Sequence, residues 1–173
     1  SNLHSLKEVH VLNPYKTIHI DIVKQSIVLF LSEILANCIQ EEEENTVLFE
    51  YLETAFIWMD THNKIANFHL LFLLNLSRFL GFYPDTTNQN KATTFSLLEG
   101  SFTNAISDKN AITKQNLTLF KTLLGINFDK VENVLFNKQE RQVLLQIIIR
   151  YFELHLDGFR KPKSLTILET VFS

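Results

Sequence analysis

The chain has 173 residues, 46% hydrophobic and 20% charged, with 15 Phe against 4 Gly and 3 Pro and a formal net charge of −3. That length is one domain burying roughly two thirds of its unfolded surface, and the composition excludes wholesale disorder. So few turn-formers and so much aromatic bulk point to an all-α domain of long helices, not a many-turned β-sandwich.

In chain order, residues 3–15 alternate briefly (Val9, Val11) and stop at Asn13-Pro14, so residues 1–17 read as a connector or short strand and 18–173 as the domain. Over 18–39, Ile20, Val23, Ile27, Leu31, Ile34, Leu35 and Cys38 recur at helical spacing. The four glutamates of 41–44 form a solvated loop. Asn45 is a good N-cap for a helix whose apolar stripe is Leu48, Phe49, Leu52, Phe56 and Met59, broken at His62 and Asn63.

Residues 67–84, NFHLLFLLNLSRFLGFYP, carry a helix that starts near Lys64 and is ended by Gly81 and Pro84. At about 100° per residue, Lys64, Asn67, Asn75 and Arg78 share one narrow polar stripe. Every other face is Leu, Phe or Ile, so this central helix, 65–80, must be wrapped by others.

Residues 85–94 form a polar loop, and FSLLEGSF at 95–102 reads as a small hairpin or irregular turn around Glu99 and Gly100. A helix is expected over 113–124, closed by Gly125, and a shorter one over 128–136. Asn137 with Glu140 makes a capping box for a helix over 138–156, whose wet face is Lys138, Gln142, Gln146, Arg150 and Glu153. Gly158 ends it. The basic loop Arg160, Lys161, Pro162, Lys163 follows, and Ser164 caps a last helix with Leu165, Leu168 and Phe172 on one side.

The single cysteine, Cys38, rules out an intrachain disulfide and a cysteine-rich zinc site, and fits a reducing compartment. In its apolar stripe it is a small hydrophobe, not a nucleophile. The six histidines never pair at i, i+4 and none joins a carboxylate in a ligand spacing, so no metal is expected. The four glycines stand alone at element boundaries, which removes a glycine-rich phosphate loop and a Gly-x-Ser-x-Gly elbow. No catalytic residue and no cofactor site emerges. No run reaches the roughly 20 apolar residues of a membrane span, since Asn75 and Arg78 interrupt the best candidate.

What remains are surfaces. Residues 1–108 carry 6 Lys/Arg against 13 Asp/Glu, a net −7, while 109–173 carry 10 against 6, a net +4. Arg141, Arg150, Arg160, Lys161 and Lys163 gather around the last two helices. Cations flanking an apolar groove suit a phosphate backbone or an acidic peptide with an apolar end; ordinary solvating charges are the plain alternative.

Four segments taken together, FLSEIL (30–35), LFEYL (48–52), FHLLFLLNLSRFLGFYPD (68–85) and YFELHLDG with KSL (151–165), resemble the C-terminal helical domain of RecO proteins, in their Bacteroidetes-type form. The similarity runs from about Leu6 to Phe172. It implies a non-enzymatic, cytoplasmic recombinational DNA-repair mediator that binds and anneals DNA. Such a mediator works with RecR to load recombinase onto strands coated by single-stranded-DNA-binding protein (SSB), and in some members the helical domain receives the acidic SSB tail. It also implies an OB-fold ahead of this chain, which begins Ser1-Asn2 without an initiator Met and reads as a fragment.

Many members carry a four-cysteine zinc motif after the Gly-aromatic-x-Pro turn. Residues 85–102 here hold no cysteine, so packing of Phe95, Leu97 and Phe102 must hold that insertion. Some members have Arg before the aromatic of the central helix, where this chain has Ala66-Asn67. The expected partner and DNA contacts are therefore Arg78, Arg141, Arg150, Arg160, Lys161 and Lys163. Without the resemblance, a ligand-sensing helical domain of a transcriptional regulator would be the competing reading, and a small-molecule enzyme a weaker third.

Overall fold

The computed structural model describes residues 14–39, 44–105 and 110–172. Their elements run α1 (Ile22–Cys38), α2 (Thr46–Thr61), α3 (Phe68–Phe79), β1 (Thr94–Ser96), β2 (Ser101–Thr103), β3 (Ala111–Thr113), α4 (Lys114–Leu123), α5 (Phe128–Val131), α6 (Lys138–His155) and α7 (Leu165–Val171). The expected connector and the acidic run fall largely outside the described residues, at 1–13 and 41–43.

α3 is the hub. Leu70, Leu71, Phe72, Leu73, Leu74 and Leu76 are all buried, with α2, α4, α5 and α6 packed around them and α1 paired with α7. A helix apolar on nearly every face can satisfy its surface only by such wrapping. Local chemistry starts the helices. Asp21 accepts the N–H groups of Val23 and Lys24, Asn45 accepts that of Leu48, and Asn137 with Glu140 forms the reciprocal capping box expected at α6.

Several boundaries differ from the sequence reading. α3 begins at Phe68 because the preceding residues form a turn, in which the Phe68 N–H donates to the Ile65 carbonyl. Asn67 does not cap; its amide donates to the Val134 carbonyl at 2.7 Å. The helix expected over 128–136 stops at Val131, leaving that carbonyl outside any helix. Ile20, placed in the α1 stripe, lies in a turn before the helix and is 72% exposed. Phe49 is 63% exposed because its neighbour Leu48 takes the inward position in the first turn of α2.

Ser164 does not cap α7. Its hydroxyl is buried without a partner, while the Glu33 carboxylate reaches across from α1 to accept the N–H groups of Lys163 (2.6 Å) and Ser164 (3.4 Å). An acid beside a helix start meets both the orphan donors and the helix dipole.

All-α is too simple a description. The insertion is a three-stranded antiparallel sheet in the order β2-β1-β3, with Phe95 opposite both Phe102 and Ile112. β1 and β2 are the hairpin expected around Glu99 and Gly100. β3 is new: three residues with one buried side chain, Ile112, are too few for alternation to show. Phe95, Leu97 and Phe102 are buried, and the Phe95 ring lies 4.8 Å from Phe102 and 4.9 Å from Phe120. Aromatic packing holds this insertion.

At the chain's entry into the domain, the Asp60 carboxylate accepts the N–H groups of Lys16, Thr17 and Ile18 at 2.7–3.0 Å. Burial alone would raise this carboxyl, but those donors and the Thr17 hydroxyl hold it well below the usual carboxylate range. Lys24, only 2% exposed, donates to the Thr17 hydroxyl (2.7 Å) and the Asp60 carbonyl (2.9 Å). The entry segment is thereby tied to the ends of two helices.

Candidate functional site

The six expected contact residues do not form one patch. Arg150 and Lys161 share a carboxylate: Glu153 lies 3.1 Å from the Arg150 guanidinium and 3.5 Å from the Lys161 ammonium. Arg150 also donates to the Asn110 side chain at 3.3 Å. Arg160 and Lys163 are exposed on the same loop, and Lys163 carries the backbone N–H that Glu33 accepts. These four residues thus sit where α6 gives way to α7.

Arg141 is half-buried and turned toward packed side chains instead. It donates to the Phe136 carbonyl, and its guanidinium lies 5.8 Å from the Phe172 ring centroid. The Phe172 ring is also stacked on buried His69, 5.1 Å away at 21°. Burial, reinforced by the Arg141 charge, pushes the His69 imidazole down to about 3, so it is neutral at ordinary pH.

A surface depression of about 560 Å³ lies beside Arg150 between the outer face of α6, β3 and α7. Leu97, Ala111, Ile112, Val143 and Ile147 give it an apolar floor; Gln142, Gln146 and Glu169 give it a polar edge. Arg160, Lys161 and Lys163 do not line it. Of the six expected cations, only Arg150 lines it.

Arg78 faces a second depression of about 420 Å³, between α2, α3 and the loop into α5. Its guanidinium is stacked 4.3 Å from the Tyr83 ring centroid, and the Tyr83 hydroxyl accepts the Gly125 N–H at 3.2 Å. Tyr51, Phe79 and Phe128 form the floor, with Tyr51 4.8 Å from Phe79 and 6.3 Å from Phe128, both stacked. The Tyr51 hydroxyl donates to the Phe72 carbonyl at 2.9 Å, which fixes the ring. Lys130 is the second cation at this rim, and sequence spacing gave no sign of it because the fold alone brings α5 against α3.

Cys38 is half-buried, and burial pushes its thiol up to about 12, as suits a residue that packs rather than reacts. His155 is a satisfied boundary histidine, its Nε2 2.8 Å from the Leu97 carbonyl and its ring stacked on Phe82. Among the described residues, no group of three or more His, Cys, Asp or Glu is placed to hold a metal ion, and no helix is long and apolar enough to cross a membrane.

Comparison with known proteins gives this geometry its context. The family model "Recombination protein O C terminal" matches residues 19–165. The chain is 46% identical over 173 residues to the DNA repair protein RecO of Flavobacterium psychrophilum, covering 99% of this chain and 71% of that protein. It is 46% identical over 171 residues to the RecO of Flavobacterium johnsoniae, with the same coverages. The RecO of Bacteroides fragilis is 36% identical over 175 residues, 99% of this chain and 72% of the relative. No solved structure matches significantly. With the match spanning α1 through α6 and the relatives aligned over nearly its whole length, the chain belongs to the RecO family.

Proposed function

We propose that this chain is the helical part of a recombinational DNA-repair mediator, acting without catalysis on DNA together with RecR and the acidic tail of SSB. In this reading an OB-fold precedes it, residues 1–17 are the connector, and the protein works in the cytoplasm. The observation that carries the reading is the family match across 19–165. The cations where α6 meets α7 supply the surface for it.

The chemistry follows from their placement. A mediator needs no reacting group; it must neutralise phosphates so that strands and partners can approach. Arg150, Arg160, Lys161 and Lys163 do so through counterion release, weakened where Glu153 already engages two of them. An acidic tail with an apolar end finds carboxylate partners in the same cations and an apolar floor in the depression beside Arg150.

The test is a fluorescence titration of a labelled acidic peptide ending in Phe. The double substitution Arg160→Glu with Lys163→Glu should weaken binding at least tenfold while leaving the melting temperature nearly unchanged, since both side chains are exposed. Wild-type affinity in that variant would remove these residues from the tail site.

A further inference from the structure

The depression at Arg78 has three properties that together define a ligand. Its floor is aromatic: Phe79 and Phe128 flank Tyr51, and all three rings lie within 30° of parallel across each stacked pair. Its rim carries two cations from different elements, Arg78 at the end of α3 and Lys130 on α5. Among the described residues neither cation pairs with a carboxylate, and Asp129, next to Lys130, instead accepts the Trp58 indole N–H at 3.0 Å. Between the cations the rim is uncharged but polar, with Thr54, Asn75 and Asn127.

We infer that this depression binds one nucleotide of single-stranded DNA, its base on the aromatic floor and its phosphate between Arg78 and Lys130. The inference rests on the DNA-binding reading above and adds a site to it. A planar ring stacks on an aromatic floor whatever its sequence, and a flanking phosphate complements two exposed cations that have no carboxylate partner among the described residues. The polar rim decides between a base and the phenyl ring of an acidic peptide. The Asn127 side-chain oxygen already accepts the Lys130 N–H and Asn75 is hydrogen-bonded to Tyr51, which leaves the Asn127 amide N–H group and the Thr54 hydroxyl for a base edge, whereas a phenyl ring would offer them no partner. A duplex is excluded as the occupant, because its bases are already stacked and paired.

The site has a built-in reporter. Trp58 is the only tryptophan of the chain, and its indole is tilted 30° against Phe128 with centroids 5.5 Å apart. A base laid on the aromatic floor therefore acts close to the fluorophore.

The experiment titrates the 173-residue chain with oligothymidylate, following Trp58 emission under excitation at the red edge of its absorption. Anisotropy of an end-labelled copy of the oligonucleotide runs in parallel. A strand of the same length lacking its bases and an acidic peptide ending in Phe serve as comparison probes. Oligothymidylate should change Trp58 emission saturably, and the baseless strand should bind at least tenfold more weakly. Arg78→Gln combined with Lys130→Gln should weaken oligothymidylate binding at least tenfold. Lys130→Gln alone, an exposed position that leaves the Arg78–Tyr83 stack intact, should weaken it severalfold.

Equal affinity for the baseless strand, or wild-type affinity in the Lys130→Gln and double variants, would overturn the assignment. So would a saturable Trp58 response to the peptide with none to the oligonucleotide, which would make the occupant a peptide. Anisotropy separates the two levels of failure. Binding of the oligonucleotide that Trp58 does not see and the variants do not weaken sinks this site alone, whereas no binding even at low salt sinks the DNA reading with it.

Discussion

The hydroxyl of Tyr151 lies 2.7 Å from the point where a β-carbon on Gly100 would stand. Gly100 sits at φ +63 in the turn joining β1 and β2, its N–H donating to the Ser96 carbonyl and its carbonyl accepting from Asp85. The Tyr151 hydroxyl donates to the Phe82 carbonyl at 2.7 Å, so it cannot retreat without orphaning a buried group. This contact is where the small sheet is keyed onto α6.

Gly100→Ala should therefore cost more than the left-handed backbone alone. That conformation costs an L-residue about 1–2 kcal/mol, and overpacking against a fixed side chain adds about 1–3 kcal/mol. Gly125→Ala is the control, because φ is +73 but nothing lies within 4 Å of its β-carbon. Urea melts should rank Gly100→Ala well below Gly125→Ala; equal losses would mean that the turn moves freely away from Tyr151.

The hub role of α3 is tested at Leu73, which is fully buried. Leu73→Ala should cost about 2–5 kcal/mol in denaturant melts. Leu135, 92% exposed, is the matching control, and its replacement by Ala should change stability by less than about 0.5 kcal/mol. A loss below about 1 kcal/mol at Leu73 would make α3 peripheral.

These residues also show what the sequence made legible. An apolar helix with one polar stripe could be read as a wrapped hub because period and composition are local properties. The capping box at Asn137 and Glu140 was equally local; that Phe95, Leu97 and Phe102 hold the insertion followed instead from the family resemblance and the cysteines missing there. What escaped depends on contacts between distant segments. Glu33 replaces Ser164 at the start of α7 from 130 residues away, and β3 exists only because β1 offers it an edge. Lys130 joins Arg78 for the same reason. The cation list suffered in the other direction, since Arg141 reads as surface charge but is drawn inward by Phe136 and Phe172.

Acid should destabilise the fold through His69. Its folded value, about 3, lies below the ordinary imidazole value of 6.5, so the folded state prefers the neutral ring. The stabilisation is fully present above about pH 6.5 and is lost as pH falls toward 3, where the unfolded chain takes up a proton that the folded one refuses. One such proton gives a slope of up to about 1.4 kcal/mol per pH unit in that window. His69→Leu should lose that slope, so its stability relative to wild type should improve steadily from pH 7 to pH 5. Parallel pH dependences for the two proteins would show that His69 protonates within the fold.

Binding to duplex DNA should be weak and steeply salt-dependent. The chain is acidic overall, at −3, and its basic residues concentrate in one half, so attraction comes from a local patch against an unfavourable net charge. If Arg150, Arg160, Lys161 and Lys163 each meet a phosphate, the logarithm of affinity should fall against the logarithm of salt with a slope of about −3 to −4. Over a fourfold rise in salt that is on the order of a hundredfold loss. Arg160→Glu with Lys163→Glu should make the slope shallower by about 2, because two contacts disappear. Glu153→Gln should act in the opposite sense and tighten binding, since it frees Arg150 and Lys161 from the carboxylate they share. Anisotropy of a labelled duplex across a salt series measures both slopes. Tight binding insensitive to salt, or a Glu153→Gln variant weaker than wild type, would show that these cations are not where the duplex lies.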